Sequence, residues 1–199
     1  MGKIKTDLKC TRCKTKSCRG GKDCTGLQEE MIAKYNDPQV QKLMRAAAEV
    51  EAKYYMKKCR LEELIEFCKL MDYKHLGIAF CIGFSDEVRV LEEILEPHFT
   101  ISSACCAVCG IDKETFGLPQ IEQQSKETMC NPIGQAEVLN RQGTDLNLIA
   151  GLCIGHDIQF TNFSKAPVST LFVKDRVLAH NPIGALYSGY YRRKKFGLK

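Results

Sequence analysis

The chain has 199 residues, 44% of them apolar and 27% charged, with a formal net charge of +5. That supports one compact domain of ordinary size with a small appendage, and is too little for two full domains. Charge without long biased tracts excludes a mainly disordered chain, and no uncharged apolar run approaches the ~18 residues of a membrane-spanning helix.

Residues 1–26 come first, with eight Lys and Arg against two Asp and almost no apolar side chain. They cannot build a core, so any order there must come from a crosslink or a metal. They also lack the apolar segment of a secretory signal, which points to a cytoplasmic protein. Residues 27–74 read as a helical segment packed on the main domain. Asn36 or Asp37 before Pro38 is a helix start, and Val40, Leu43, Met44, Ala47, Val50 and Tyr54 follow at helical spacing. A second helix shows Leu61, Leu64, Ile65, Cys68 and Met71 on one face.

From His75 to residue 199 short apolar runs alternate with helices, the pattern of an α/β sheet. Leu76 to Cys81 predicts a buried strand, Ile82 to Phe84 a turn, and Ser85 the cap of a helix facing the sheet through Val88, Leu91, Ile94 and Leu95. Phe99 to Ala104 is a second strand. Asn131-Pro132 opens a helix ending near Gly143, Leu146 to Cys153 is a third strand, Val168 to Val173 a fourth, and Asn181-Pro182 opens a last helix. The expected fold is α/β: a small open, mostly parallel sheet with flanking helices, preceded by the helical segment and a small four-cysteine metal module. A short repeat, Cys130-Asn-Pro-Ile-Gly134 against His180-Asn-Pro-Ile-Gly184, predicts two equivalent helix starts, each preceded by a potential ligand.

Twelve cysteines stand out in a chain long enough to fold without disulfides. Cys10, Cys13, Cys18 and Cys24 form C-x2-C-x4-C-x5-C. A two-residue gap turns two sulfurs toward one metal and the longer gaps bring the chain back around it, so the motif reads as a tetrahedral four-thiolate site. Zinc and a four-iron (4Fe-4S) cluster both suit it. The iron-sulfur reading is preferred because of a second group of cysteines, with zinc as the alternative.

That second group lies at the predicted strand ends: Cys81 after the first strand, Cys105, Cys106 and Cys109 after the second, Cys130 before a helix start, and Cys153 with His156 and Asp157 after the third. In an open α/β sheet the carboxyl ends of parallel strands line one crevice, and ligands bind where the strand order switches. These thiols therefore predict a second cofactor, metal or redox site, with His156 and His180 as possible additions. Core packing is the competing reading for each cysteine alone, strongest for Cys81 and Cys105. Cys68, on the apolar stripe of its helix, and Cys59, at a helix boundary without a partner, read as structural. His75 and His98 read as exposed.

A different chemistry would use Cys106-Ala-Val-Cys109 as a dithiol pair, although the usual proline and tryptophan context of thioredoxin-like proteins is missing. No nucleophile elbow, P-loop or dinucleotide fingerprint is present. The positive charge sits at the two ends, with five Lys and Arg and no acid in residues 190–199. Offset of thiolate charge explains the basic amino-terminal segment better than nucleic-acid binding, since that segment has no aromatic stacking residues.

The sequence resembles an uncharacterised family of cysteine-rich proteins, regarded as metal-binding, found largely in anaerobic bacteria and archaea. The resemblance is carried by the four-cysteine start, Leu76-Gly-Ile-Ala-Phe-Cys-Ile-Gly83, Met129-Cys-Asn-Pro-Ile-Gly-Gln-Ala136, Gly151-Leu-Cys-Ile-Gly-His-Asp157 and the stretch from Val173 to Tyr187. It implies metal binding and an anaerobic setting, and supplies no established activity. The combined expectation is a cytoplasmic redox or electron-transfer protein that could serve a redox partner protein. The Cys10, Cys13, Cys18, Cys24 cluster would feed or stabilise a strand-end site built from Cys106, Cys109, Cys130 and Cys153. The alternatives are a zinc-stabilised binding module and a thiol enzyme in sulfur transfer.

Overall fold

A computed structural model describes residues 9–122 and 125–199. The first eight residues of the 1–26 module, Lys3 and Lys5 among them, lie outside the described residues. The chain divides into two compact units, residues 1–57 and 58–199. Among the described residues no helix is long and apolar enough to cross a membrane.

In the first unit the cysteine loop carries two short 3-10 turns, Cys10–Arg12 and Ser17–Gly20, followed by α1 (Gln28–Tyr35) and α2 (Pro38–Tyr54). The α2 start is the predicted one: Asp37 Oδ1 accepts from the amides of Gln39 at 2.8 Å and Val40 at 3.1 Å, with Pro38 at the first helical position. The sequence reading has no counterpart for α1. Its entry is fixed from five residues upstream, where the Asp23 carboxylate accepts from the amides of Thr25, Gly26 and Gln28 at 2.8, 2.9 and 3.0 Å. Those bonds, that from Gln28 foremost, lower the Asp23 pKa to about 2.

The second unit is an open sheet of four parallel strands in the order β2-β1-β3-β4. They are β1 (His75–Phe80), β2 (Thr100–Cys105), β3 (Leu146–Ala150) and β4 (Val168–Phe172). Two layers of helices cover it, as parallel sheets require. On one face α3 (Arg60–Met71) and α4 (Ser85–Leu95) bury Cys68, Val88, Leu91 and Leu95 against Leu76, Ile78, Leu146 and Leu148. On the other, α5 (Pro132–Gln142) and α6 (His156–Phe163) bury Ala136, Leu139 and Phe160 against Ala79, Ala104 and Ile149. The period-two alternation of each strand sorts its residues between the two layers. Arg60 also ties α3 to the edge strand, its Nε and Nη2 donating to the Thr170 carbonyl at 3.2 and 2.8 Å.

Several details depart from the sequence reading. Ile94 is exposed, because the sheet-facing stripe of α4 closes on Val88, Leu91 and Leu95. Ser85 opens α4 without capping it, its hydroxyl donating to the Ile82 carbonyl at 2.7 Å. β3 stops at Ala150, since Gly151 takes φ +70° and an added Cβ there would stand 2.1 Å from Phe84 Cε2. The two repeat segments are not equivalent. Asn131 Oδ1 caps α5 by accepting from Gly134 N at 2.8 Å, whereas Asn181 makes no side-chain cap to the five-residue α7 (Ile183–Tyr187).

Candidate thiol site at the strand ends

The order β2-β1-β3-β4 switches direction between β1 and β3. The chain leaves β1 to build β2 on one side and returns through α5 to build β3 on the other. The connections after those strands diverge there, the place where open α/β sheets bind ligands. Cys81 follows β1, Cys105 ends β2 and Cys106 follows it, Cys130 precedes the α5 cap, and Cys153 lies just past β3. Cys81 and Cys106 are buried, and Cys105, Cys130 and Cys153 half-buried.

The structure brings these five into one electrostatic group. The Cys106 side chain interacts with those of Cys130, Cys81 and Cys105, while Cys130 feels the charge of Cys81 and Cys153. The interaction with Cys130, then burial, raises the Cys106 pKa, and the same interaction lowers that of Cys130, with Lys113 adding a smaller pull. Of the two, Cys130 is therefore the thiol that ionises more readily. Burial raises the Cys105 thiol, although the Ala107 amide donates to its sulfur at 3.5 Å. The Ile82 amide donates to Cys106 Sγ at 3.3 Å.

Two cations complete the group, and both come from the segment after β4. Lys174 Nζ donates to Cys81 Sγ at 3.2 Å, and Arg176 Nη2 donates to Cys153 Sγ at 3.3 Å, which raises the guanidinium pKa. The Lys174 ammonium also lies 4.5 Å from the Phe84 ring centroid. That ring meets Phe172 and His180 edge-on at 5.0 and 4.5 Å, and Gly151 leaves room for it. An aromatic platform thus fixes the lysine that faces Cys81. Sequence reasoning missed Lys174, Arg176 and Phe84. The signal was available for the cations, since they follow the fourth predicted strand as the cysteines follow the others.

Among the described residues the other expected members make no hydrogen bond to these sulfurs through their side chains. Cys109 is exposed at φ +73°, and none of the sulfur contacts above includes it. His156 begins α6 with its amide on the Cys153 carbonyl at 3.0 Å, and its ring has no hydrogen-bond partner among the described residues. Asp157 Oδ1 is occupied by the Gly155 and Ile158 amides at 2.9 and 2.8 Å. His180 uses Nδ1 to accept from the Asp175 amide at 3.1 Å and so braces the loop that carries both cations. Gln135, fully buried, bridges the β1 and β2 ends, Nε2 donating to Phe80 and Ala104 carbonyls at 3.0 and 2.6 Å while Oε1 has no partner.

Of the cysteines read as structural, Cys68 is buried and its pKa is pushed up to about 12 by desolvation, and Cys59 is an exposed boundary residue whose amide donates to Glu62 Oε2 at 2.9 Å. His98 is exposed, whereas His75 is half-buried with Nε2 2.8 Å from Ser102 Oγ.

In the amino-terminal loop Cys10, Cys13, Cys18 and Cys24 are all reduced and exposed. The Cys13 amide donates to the Cys10 carbonyl at 3.2 Å, and Gly21 N to the Cys18 carbonyl at 3.1 Å. Backbone amides of Lys16 and Thr15 and the Thr15 hydroxyl point at Cys13 Sγ and lower its pKa, the Lys16 amide most. Among the described residues no three Cys, His, Asp or Glu side chains stand in a ready-made metal cluster, in this loop or at the strand ends.

Fold and site together define a cysteine-rich α/β protein with thiols gathered at its topological switch point. The chain belongs to the family described as protein of unknown function DUF1847, whose model matches residues 19–171. The match includes Cys24 and every strand-end cysteine and begins after Cys18. The chain is also 55% identical over 188 residues to an uncharacterized protein of Methanocaldococcus jannaschii, MJ0455, covering 94% of this chain and 97% of that one. No solved structure matches.

Proposed function

We propose that this protein is a thiolate metal-binding protein with a redox role, and that the strand-end crevice holds a metal or iron-sulfur centre. One observation carries the reading: Cys81, Cys105, Cys106, Cys130 and Cys153 converge from separate segments on the switch point, and Lys174 and Arg176 lie on two of the sulfurs. Packing alone does not account for two cations donating to thiol sulfurs, whereas a thiolate set needs them to offset its charge. The donor chemistry fits a soft metal or an iron-sulfur cluster. Cys81, Cys106, Cys130 and Cys153 would hold it, with Cys105 adjacent. A cluster bound there would supply one-electron chemistry.

The chain's own residues would do the rest. Lys174 and Arg176 neutralise and orient sulfur, and Gln135 fixes the spacing of the β1 and β2 ends through the carbonyls before Cys81 and Cys105. Cys10, Cys13, Cys18 and Cys24 would form a second centre, supported by the amides aimed at Cys13, as thiolate-binding loops use backbone N–H groups to stabilise sulfur. An acidic redox protein suits the basic ends as a partner.

The test is iron, sulfide and zinc analysis with an absorbance spectrum on oxygen-free protein, compared with Cys130→Ser and Cys153→Ser. Metal that falls in both variants, with loss of thiolate charge-transfer absorbance, supports the reading. Unchanged metal and spectrum in both would overturn it and favour a zinc-stabilised binding module with packed strand-end thiols.

A further inference from the structure

The sequence pairs Cys106 with Cys109, but the fold pairs it with Cys130. The Asn131 amide donates to the Cys106 carbonyl at 2.7 Å, and Asn131 Nδ2 donates to the Val108 carbonyl at 3.2 Å. These bonds stitch the turn after β2 to the start of α5 on either side of the pair and set the main chains of Cys106 and Cys130 side by side. A disulfide of ~2.05 Å needs two cysteines whose main chains run this close together. Access is unequal: Cys130 is half-buried and Cys106 only 4% exposed, its sulfur fixed by the Ile82 amide. Cys81 also touches Cys106, but it is buried and its sulfur is engaged by Lys174. Cys109 is exposed on a left-handed turn.

We infer that Cys130 and Cys106 form a dithiol pair that exchanges with low-molecular-weight disulfides, Cys130 as the attacking sulfur and Cys106 as the resolving one. Cys130 thiolate attacks one sulfur of R–S–S–R. A Cys130–S–R bond forms, the original S–S bond breaks, and the departing thiolate takes the electron pair and a proton from solvent. Cys106 then gives its proton to solvent and attacks Cys130 Sγ, expelling the second R–S⁻, which is protonated in turn. The small disulfide is reduced to two thiols and the pair is oxidised to one disulfide, so no further reductant enters. An external dithiol reverses both steps. The same sulfurs would serve as ligands when metal is bound, so the exchange belongs to the chain freed of metal.

The test uses the full chain, stripped by chelation without oxygen, exposed to oxidised glutathione, quenched with iodoacetamide and mapped by peptide mass spectrometry. A Cys106–Cys130 crosslink is expected, unchanged in yield in Cys109→Ser. In Cys106→Ser, Cys130 should instead retain one glutathionyl group. If that variant does not fold, a brief exposure of the parent chain to limiting reagent should show the Cys130 adduct before the crosslink. A crosslink from Cys106 to Cys109 or Cys81, or an unmodified pair while exposed Cys109 is glutathionylated, would overturn the inference. The metal reading is judged on metal content before stripping, so either can fail alone.

Discussion

Replacing Gly151 by alanine should strike the site through a residue that touches none of its sulfurs. Gly151 sits at φ +70°, and an added Cβ would lie 2.1 and 2.2 Å from Phe84 Cε2 and Cδ2. A left-handed conformation costs an L-residue about 1 kcal/mol, and forcing a methyl into a filled contact costs about 1–3 kcal/mol. The sum is about 2–4 kcal/mol. At about 2–4 °C per kcal/mol for a chain of this size, the melting temperature should fall by roughly 4–16 °C. Phe84 is 4% exposed and carries Lys174 and His180 on its faces, so the ring cannot yield without moving the cation that meets Cys81. Alkylation of Cys81 should therefore quicken along with the loss of stability. A double-mutant cycle with Phe84→Ala separates the terms: the overpacking part, about 1–3 kcal/mol, should vanish when the ring is gone, while the backbone cost stays. Additive effects to within about 0.5 kcal/mol would refute the contact, and an unchanged melting temperature in the single variant would refute both terms.

Three further predictions follow from other parts of the structure. Lys174→Met should weaken metal binding at the strand ends by about 10–100-fold in competition with a chromophoric chelator, with Lys174→Arg restoring much of it; equal affinity in all three would show the lysine to be incidental. Asn131→Ala should cost about 0.5–2 kcal/mol in urea unfolding, whereas Asn181→Ala, with no cap to lose, should stay within about 0.5 kcal/mol. Cys68 makes stability fall in alkali: its thiol is raised from 9.0 to about 12, so its contribution is complete below about pH 9 and is lost as pH climbs toward 12. Cys68→Ala should lose that part of the alkaline decline in urea midpoints, and an identical pH profile would sink the assignment.

The two central strands were legible because burial on both faces wrote them as mostly apolar runs. Leu76 to Ala79 and all of β3 are buried, and both stretches appear in the sequence as apolar runs interrupted by Gly77 and Asn147. Asn147 does not spoil the run, because its amide meets Thr144 Oγ1 and Ser164 Oγ at 2.7 and 2.8 Å. What stayed hidden was local. Only Phe160 of α6 is buried, so that helix has no apolar period to read. Whether Cys109 joins the crevice turns on the backbone of that one residue, a left-handed φ that spacing does not encode. The convergence of Cys81, Cys130 and Cys153 was legible because parallel strands put their carboxyl ends on one edge, a property of topology that needs no side-chain detail.

The edge strand β4 contributes no sulfur, yet the crevice depends on it. Thiols collected at one point in a half-buried space repel one another once ionised, so a site made only of cysteines would hold its protons and bind metal poorly. Positive charge has to come from somewhere. The N-terminal ends of α5 and α6 supply part of it, Cys130 preceding the α5 cap and Cys153 lying just before α6. Cys81 is buried among apolar side chains and precedes only a short 3-10 turn. Lys174 reaches past β3 to that sulfur from the loop braced by His180, and Arg176 from the same loop meets Cys153. The segment after the last strand therefore sets the charge around thiols that all come from the chain before it.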